Sequence, residues 1–312
     1  MSKPLVEAVN LSVRFESGRG GVEALQDAYL EASSGESIAI VGESGSGKTT
    51  LLRACLALVP PFGGSVTLFG QDISACGRRG LVALRRRCGY IPQDPFGCVP
   101  PTLSAMEAVA EPILIAGSGS RTEARKKAGD LLIECGLDDP DLWKERVRLS
   151  LSGGQRQRVS IARALALDPE LLFADEPASM QDAATRGEVL RILKRRTQKG
   201  MGMVMATHDL LLAASAASRV MVLYMGRVVE KGPAKSILES PLHPYSKALV
   251  AAIPGMGHAP ELFAQDPEKT PEIEGCDFGS RCPCRTGRCK LVPQLMETGG
   301  GRHVACWETG GY

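Results

Sequence analysis

Polar and apolar positions along the chain divide it into short strand-like runs separated by helical stretches. "LVEAVNLSVRF" and "ALQDAYLEA" read as two strands joined by the Gly-rich turn "ESGRGGV". "SIAIVG" is a compact Ile/Val run of the kind that forms a buried strand. "SVTLFG", "CGYIPQ", "ELLFAD", "MVMATH" and "RVMVLY" predict further strands. Helical patterns fall between them: about Lys48 to Leu58, stopped by "PPFGG", and again over 182–198. From about Leu103 to Leu149 the pattern is helical throughout, with "GSGS" separating "TLSAMEAVAEPILIA" from "RTEARKKAGDLLIECG". Alternation of this kind predicts an α/β domain with a largely parallel sheet, and the 103–149 block reads as an insertion. After "HPYSKALVAAIP" both patterns fade, and from about residue 255 the tail is rich in Gly, Pro and Cys.

Composition narrows the picture slightly. With 312 residues and 44% hydrophobic content, the chain can bury one large domain plus an appendage. The formal net charge of +2 gives no electrostatic reason to expect a nucleic-acid or anionic-lipid binder. The basic runs Arg85–Arg87 and Lys194–Arg196 read as solvated helix faces. No signal-like N-terminus and no long apolar stretch is visible, so a cytosolic chain without a membrane span is expected. Cys55, Cys76, Cys88, Cys98 and Cys135 are scattered and read as small buried hydrophobes.

The chemistry begins at "GESGSGKTT", residues 42–50, which matches the phosphate-loop pattern directly after a predicted strand and before a helix. Backbone N–H groups around Gly42, Ser44, Gly45 and Gly47 would cradle phosphates, with the helix N-terminus at Thr49 and Thr50 behind them. Lys48 would reach the β- and γ-phosphates, and the Thr49 hydroxyl would ligate Mg²⁺. In "ELLFADE", Asp175 is placed to hold Mg²⁺ and Glu176 to activate an attacking water. His208 ends another apolar strand, and in a parallel sheet that strand end would face the same crevice as Gly42 and Asp175. Gln93 follows the strand "CGYIPQ". Ser152, Gly153, Gly154 and Gln155, in "LSGGQRQRVSIARAL", open a helix whose N-terminus is a second candidate anion site.

The order Lys48, Gln93, Ser152, Asp175, Glu176, Asp182, His208 resembles the ATP-binding subunits of ABC transporters, and LSGGQ is highly specific to that superfamily. The resemblance implies a P-loop ABC ATPase fold with a mainly parallel core sheet and an N-terminal antiparallel β subdomain. A helical subdomain would be inserted at about 95–152, within an ATPase domain of residues 1–254, leaving a Cys-rich extension over 255–312. It further implies that two such domains sandwich two ATP molecules, each between one phosphate loop and the other subunit's LSGGQ. Phe15 would stack on adenine, Gln93 would sense Mg²⁺ and the membrane partner, Asp182 would lie in the loop crossing the dimer, and His208 would contact the γ-phosphate. "ESPLHPYSKALVAAIP", "QDPFGCVPPTLSAMEAV" and the tail cysteines are similar to the oligopeptide/dipeptide/nickel importer ATPases. That likeness implies an identical or paralogous second ATPase subunit and two integral-membrane permease subunits. A solute-binding protein would act indirectly, with the chain peripheral at the cytoplasmic face of the inner membrane and no nucleic-acid partner. A soluble ABC ATPase of DNA repair or translation is the alternative. The interval between Lys48 and Ser152 lacks the sustained heptads of a long coiled-coil insertion, which disfavours it. In "PASMQD", Gln181 departs from the family's usual apolar residue.

The tail cysteines allow several readings. A disulfide framework fits a reducing compartment poorly, and scattered structural thiols fit poorly a tail with little apolar periodicity to bury them. Cys276, Cys282, Cys289 and Cys306 could converge on one metal centre and order the tail, with Cys284 a spectator. Only Cys282-x-Cys284 approaches the tight spacing zinc prefers. The family's cysteine motif implies a [4Fe–4S] cluster on the four, with zinc as the alternative. On this reading the tail folds apart from the nucleotide site, and disturbing it spares ATP binding.

Overall fold

The computed structural model describes residues 3–17, 20–94, 97, 99–100, 102–179, 183–254 and 274–309. Asp182, Gln181 and Cys98 lie outside them. The chain forms two compact units: one contains Glu31–Glu36 and most of 67–205, the other Ala8–Leu30, Ser37–Val66 and the chain from Ala206 onward.

In the second unit, β1 (Val6–Ser17), β2 (Gly20–Ala32) and β4 (Gly63–Leu68) form the N-terminal sheet in the order β2-β1-β4. β3 (Ser37–Val41) is buried along its whole length and leads into α1 (Lys48–Cys55). It pairs in parallel with β9 (Arg219–Tyr224), Ile38 opposite Arg219 and Val41 opposite Val222. β9 turns into β10 (Arg227–Pro233), which runs antiparallel to it. α8 (Leu210–Ala216), α9 (Ala234–Glu239) and α10 (Pro244–Ala251) complete the regular helices of this unit.

The tail was expected to lack regular structure, yet it adds two strands. β11 (Met296–Gly299) and β12 (Arg302–Val304) form a hairpin whose turn, Gly299–Gly301, has positive φ throughout. β12 pairs with β10, Glu230 opposite Val304, so the sheet runs β11-β12-β10-β9-β3.

The first unit carries β5 (Gln71–Asp72), α2 (Arg78–Arg86), β6 (Cys88–Ile91), β7 (Leu171–Asp175) and most of β8 (Gly202–Thr207), with β8, β7 and β6 adjacent in that order. β6 and β7 are parallel, from Cys88 opposite Leu171 to Ile91 opposite Ala174. The central strands are therefore parallel and the added ones antiparallel, which makes the architecture a mixed-sheet α/β fold. The helical insertion is present as α3 (Ala105–Ala116), α4 (Arg121–Glu134) and the short α5 (Val147–Ser150), followed by α6 (Gly153–Ala164). α3, α4 and α6 each start at a Ser whose hydroxyl accepts the backbone N–H three residues on, while Glu107, Glu123 or Gln155 reaches back to the serine's own N–H. Each reciprocal cap satisfies two donors that a helix start otherwise leaves unpaired.

The two basic runs are only partly solvated faces. Arg87 lies 3.6 Å over the Phe69 ring and holds Glu170 at 2.6 and 2.9 Å. Arg196, on α7 (Ala183–Gln198), joins Glu134 of α4 to Asp168. In each the planar head makes a forked ion pair, and that of Arg87 also stacks on an aromatic ring, uses of Arg that a charge run alone does not reveal.

Candidate nucleotide site

The phosphate loop leaves the buried end of β3. Gly42 is a position of close approach: a Cβ there would meet the Leu223 carbonyl oxygen at 2.2 Å. At Gly47 a Cβ would lie 2.4 Å from the Ala24 carbonyl, and the backbone is left-handed at φ 102°. Any side chain at either position would displace the loop. Lys48 is buried, and its ammonium donates to the carbonyls of Gly42 (2.7 Å) and Glu43 (2.8 Å) and to Ser46 Oγ (3.3 Å). α1 begins at Gly47 without a side-chain cap and without an acidic residue in its first turn. Ser44 and Gly45 are exposed, and Thr49 and Thr50 half-buried. A cradle of this shape, open at a positive helix end beside a lysine, suits phosphate oxygens. Phe15, 45% exposed on β1, and His208, exposed just after β8, belong to the same unit.

In the other unit β7 is fully buried and delivers Asp175, 1% exposed, at its end. Glu176 follows in the left-handed region at φ 51°, an uncommon conformation for a side chain of this size. The turn is held from three directions: the Glu176 carbonyl accepts Gln157 Nε2 (3.0 Å), Ser179 N (3.2 Å) and Ser179 Oγ (3.1 Å). Gln157 is fully buried on α6, so the helix opened by LSGGQ also fixes the turn that carries Glu176. Sequence reasoning missed this residue; a glutamine just before the buried run Val159–Ala162 of α6 was the available signal. Ser152 Oγ accepts Gln155 N (3.2 Å) and Gln155 Oε1 accepts Ser152 N (2.9 Å), so both side chains are used in capping. Gly153 and Gly154 form the first turn, and Gln93 is exposed beyond β6.

The C-terminal segment is anchored on buried polar groups. Glu230 is fully buried and accepts the N–H groups of Leu242 (3.0 Å) and His243 (2.9 Å) and Arg302 Nη2 (3.0 Å). His243 caps α10, its Nδ1 accepting Tyr245 N at 3.0 Å. Burial pushes the His243 imidazole down from 6.5 to about 3, with Lys247 adding to the effect. The folded chain therefore keeps His243 neutral, whereas the unfolded chain binds a proton below its ordinary value. This stability is full above about pH 6.5 and is lost as pH falls towards 3, at up to ~1.4 kcal/mol per pH unit. Asn also caps helices but does not titrate there. His243→Asn should thus unfold with a visibly shallower pH dependence in that window, measured by urea denaturation at several pH values.

The described cysteines are free thiols. Cys55 and Cys135 are buried as expected, whereas Cys76 and Cys88 are only half-buried; burial raises Cys135 and Cys88 to about 12. In the tail, Cys276 and Cys282 are raised to about 11, chiefly by burial and also by neighbouring tail cysteines. Among the described residues no three His, Cys, Asp or Glu side chains are grouped to hold a metal ion. The expected centre on Cys276, Cys282, Cys289 and Cys306, as an iron–sulfur cluster or as zinc, is therefore not carried by the geometry. The described tail has other anchors: buried Phe278 and Arg281, the Glu230–Arg302 pair and the β11–β12 hairpin.

A phosphate loop after a buried parallel strand in one unit, and a buried strand ending in an acid in the other, are the features of an α/β P-loop nucleoside triphosphatase. Residues 25–179 match the ABC transporter family, and residues 229–289 match the C-terminal region of oligopeptide/dipeptide transporters. A protein of Brucella abortus described as a peptide import ATP-binding protein is 37% identical over 307 residues, covering 97% of this chain and 91% of that protein. A Sinorhizobium fredii protein described as a peptide ABC transporter ATP-binding protein is 37% identical over 94% of this chain and 84% of its own length. Among solved structures, a dimeric ATP-binding cassette in a post-hydrolysis state with ADP and Pi is 31% identical, with a TM-score of 0.69 over 73% of this chain and 98% of that one. A subunit of a Clostridium perfringens ABC transporter complex is 26% identical, with a TM-score of 0.66 over 77% of this chain and 92% of its own. The chain belongs to the ATP-hydrolysing ABC transporter family.

Proposed function

We propose that the chain is the ATPase subunit of an importer for oligopeptides or dipeptides, or for nickel or a similar small solute. The observation that carries this is the pairing of an intact phosphate loop with a C-terminal segment, residues 229–289, that matches the oligopeptide/dipeptide transporter region. Its partners on this reading are a second ATPase subunit, two integral-membrane permease subunits and, indirectly, a solute-binding protein. No helix among the described residues is long and apolar enough to cross a membrane, and a peripheral position at the cytoplasmic face agrees with that. Residues 1–254 would be the ATPase domain, with a helical insertion at about 95–152 and the extension beginning at 255.

ATP and Mg²⁺ fit the residues present, since the cradle at Gly42 and Gly47 has no room for a side chain and Asp175 is a buried carboxylate at a strand end. Bound Mg²⁺ would supply charge neutralisation at the phosphates. Lys48 would exchange loop carbonyls for phosphate oxygens, Thr49, Gln93 and Asp175 would hold the metal and its waters, and His208 would face the γ-phosphate. The rigid turn at Glu176 would aim its carboxylate at the attacking water, so that little reorganisation is needed at the moment of reaction. The first turn of α6, with Ser152, Gly153, Gly154 and Gln155, would contact the nucleotide of the partner subunit; Phe15 would stack on adenine and Asp182 would serve the dimer crossing. Affinity purification of the tagged chain from detergent-solubilised membranes tests the reading. It should recover a multi-span permease; recovery of soluble DNA-repair or ribosomal partners alone would contradict it.

A further inference from the structure

The second residue of the phosphate loop is an acid. In a loop that collects phosphate, an uncompensated carboxylate would oppose the anion. Glu43 is compensated by a residue far along the chain. Arg281, in the C-terminal extension, holds its carboxylate by two parallel bonds, Nη1–Oε2 and Nη2–Oε1, both 3.1 Å. The Arg281 side chain is 1% exposed, and its Nη1 also donates to Tyr224 Oη at 3.3 Å. The rest of Glu43 is engaged as well: its N–H donates to Tyr245 Oη (2.9 Å) and its carbonyl accepts Lys48 Nζ (2.8 Å). Tyr224, Tyr245 and Phe278 pack on one another with ring centroids 4.6 to 5.5 Å apart, and all three are buried. Phe278 and Arg281 lie between Cys276 and Cys282, so the cysteine-bearing segment presents the guanidinium to the loop.

We propose that Arg281 is a positioning residue of the nucleotide site, which neutralises Glu43 and makes MgATP affinity depend on the docked C-terminal extension. This dependence runs against the expectation that the tail folds apart from the nucleotide site. A bidentate guanidinium cancels the carboxylate and fixes its direction, which a lysine does less well. Coupling is mutual, so bound MgATP should in turn steady the segment from Cys276 to Cys289.

The test is equilibrium binding of MgATP to the full chain. Arg281→Ala should weaken affinity about 10- to 100-fold by leaving a carboxylate beside the phosphates. Adding Glu43→Gln should bring the double variant back to within about 3-fold of wild type, because no charge then needs cancelling. Lost packing alone would not be repaired in this way. Affinity within about 2-fold of wild type for Arg281→Ala, or an equal loss in single and double variants, would overturn the proposal. If Arg281→Ala does not fold, the neutral but longer Arg281→Met against Arg281→Met/Glu43→Gln gives the same comparison, and equal affinities there overturn it. A wild-type chain that binds no MgATP would sink the nucleotide site itself, an outcome distinct from failure of the Arg281 variants alone.

Discussion

Glu176→Gln will bind MgATP about as well as wild type while its turnover falls about 10²–10⁴-fold, the usual cost of removing a general base. The substitution changes one oxygen for a nitrogen and leaves the backbone bonds of the turn to Gln157 and Ser179 in place. On the proposed reading binding rests on Gly42, Gly47 and Lys48, whose close approaches and hydrogen bonds the change does not touch. Single-turnover hydrolysis together with nucleotide titration separates the two effects. Turnover at the wild-type rate would show that another group activates the water. A parallel loss of affinity would mean that Glu176 supports the loop instead.

Ser152→Arg should abolish ATP-dependent dimerisation while leaving MgATP affinity of the isolated chain nearly unchanged. Ser152 is exposed at the start of α6, beside Gly153, where a Cβ would meet nothing within 4 Å. That open surface is what a partner's nucleotide would need, and an arginine would fill it. The substitution also removes the Ser152 cap on Gln155 N, worth about 1 kcal/mol. Ser152→Ala controls for this, because it loses the cap without adding bulk, and it should still dimerise. Light scattering with and without MgATP gives the answer. Loss of nucleotide affinity in the arginine variant's monomer would show that LSGGQ serves its own subunit's nucleotide.

Where a structural feature lies in contiguous residues, local pattern is enough to read it. β3 and its phosphate loop announce themselves because a buried parallel strand needs an unbroken apolar run and the loop needs glycine at fixed offsets. α6 was legible for a similar reason, its start marked by a serine and a residue that reaches back to it. Pairings distant in sequence left no such trace. Nothing in "GESGSG" says that Glu43 waits for Arg281, 238 residues later, or that its N–H belongs to Tyr245. β11 and β12 escaped notice because four exposed and three mostly half-buried residues carry no alternation, and their strand character comes from pairing with β10. The cysteines are a different case. Their clustering suggests a metal centre that could order the tail, and no grouping of ligands among the described residues supports it; an aromatic cluster and two partly buried ion pairs hold the described part.

The central claim, that this ATPase powers peptide import, is tested most directly by uptake of labelled di- and oligopeptides in cells whose only copy of the chain carries Glu176→Gln. Peptide uptake should fall to the level of a strain lacking the chain, with protein abundance and growth without peptide unchanged. Wild-type uptake from cells in which the purified variant has lost hydrolysis would contradict the account, the more so if those cells became sensitive to DNA damage.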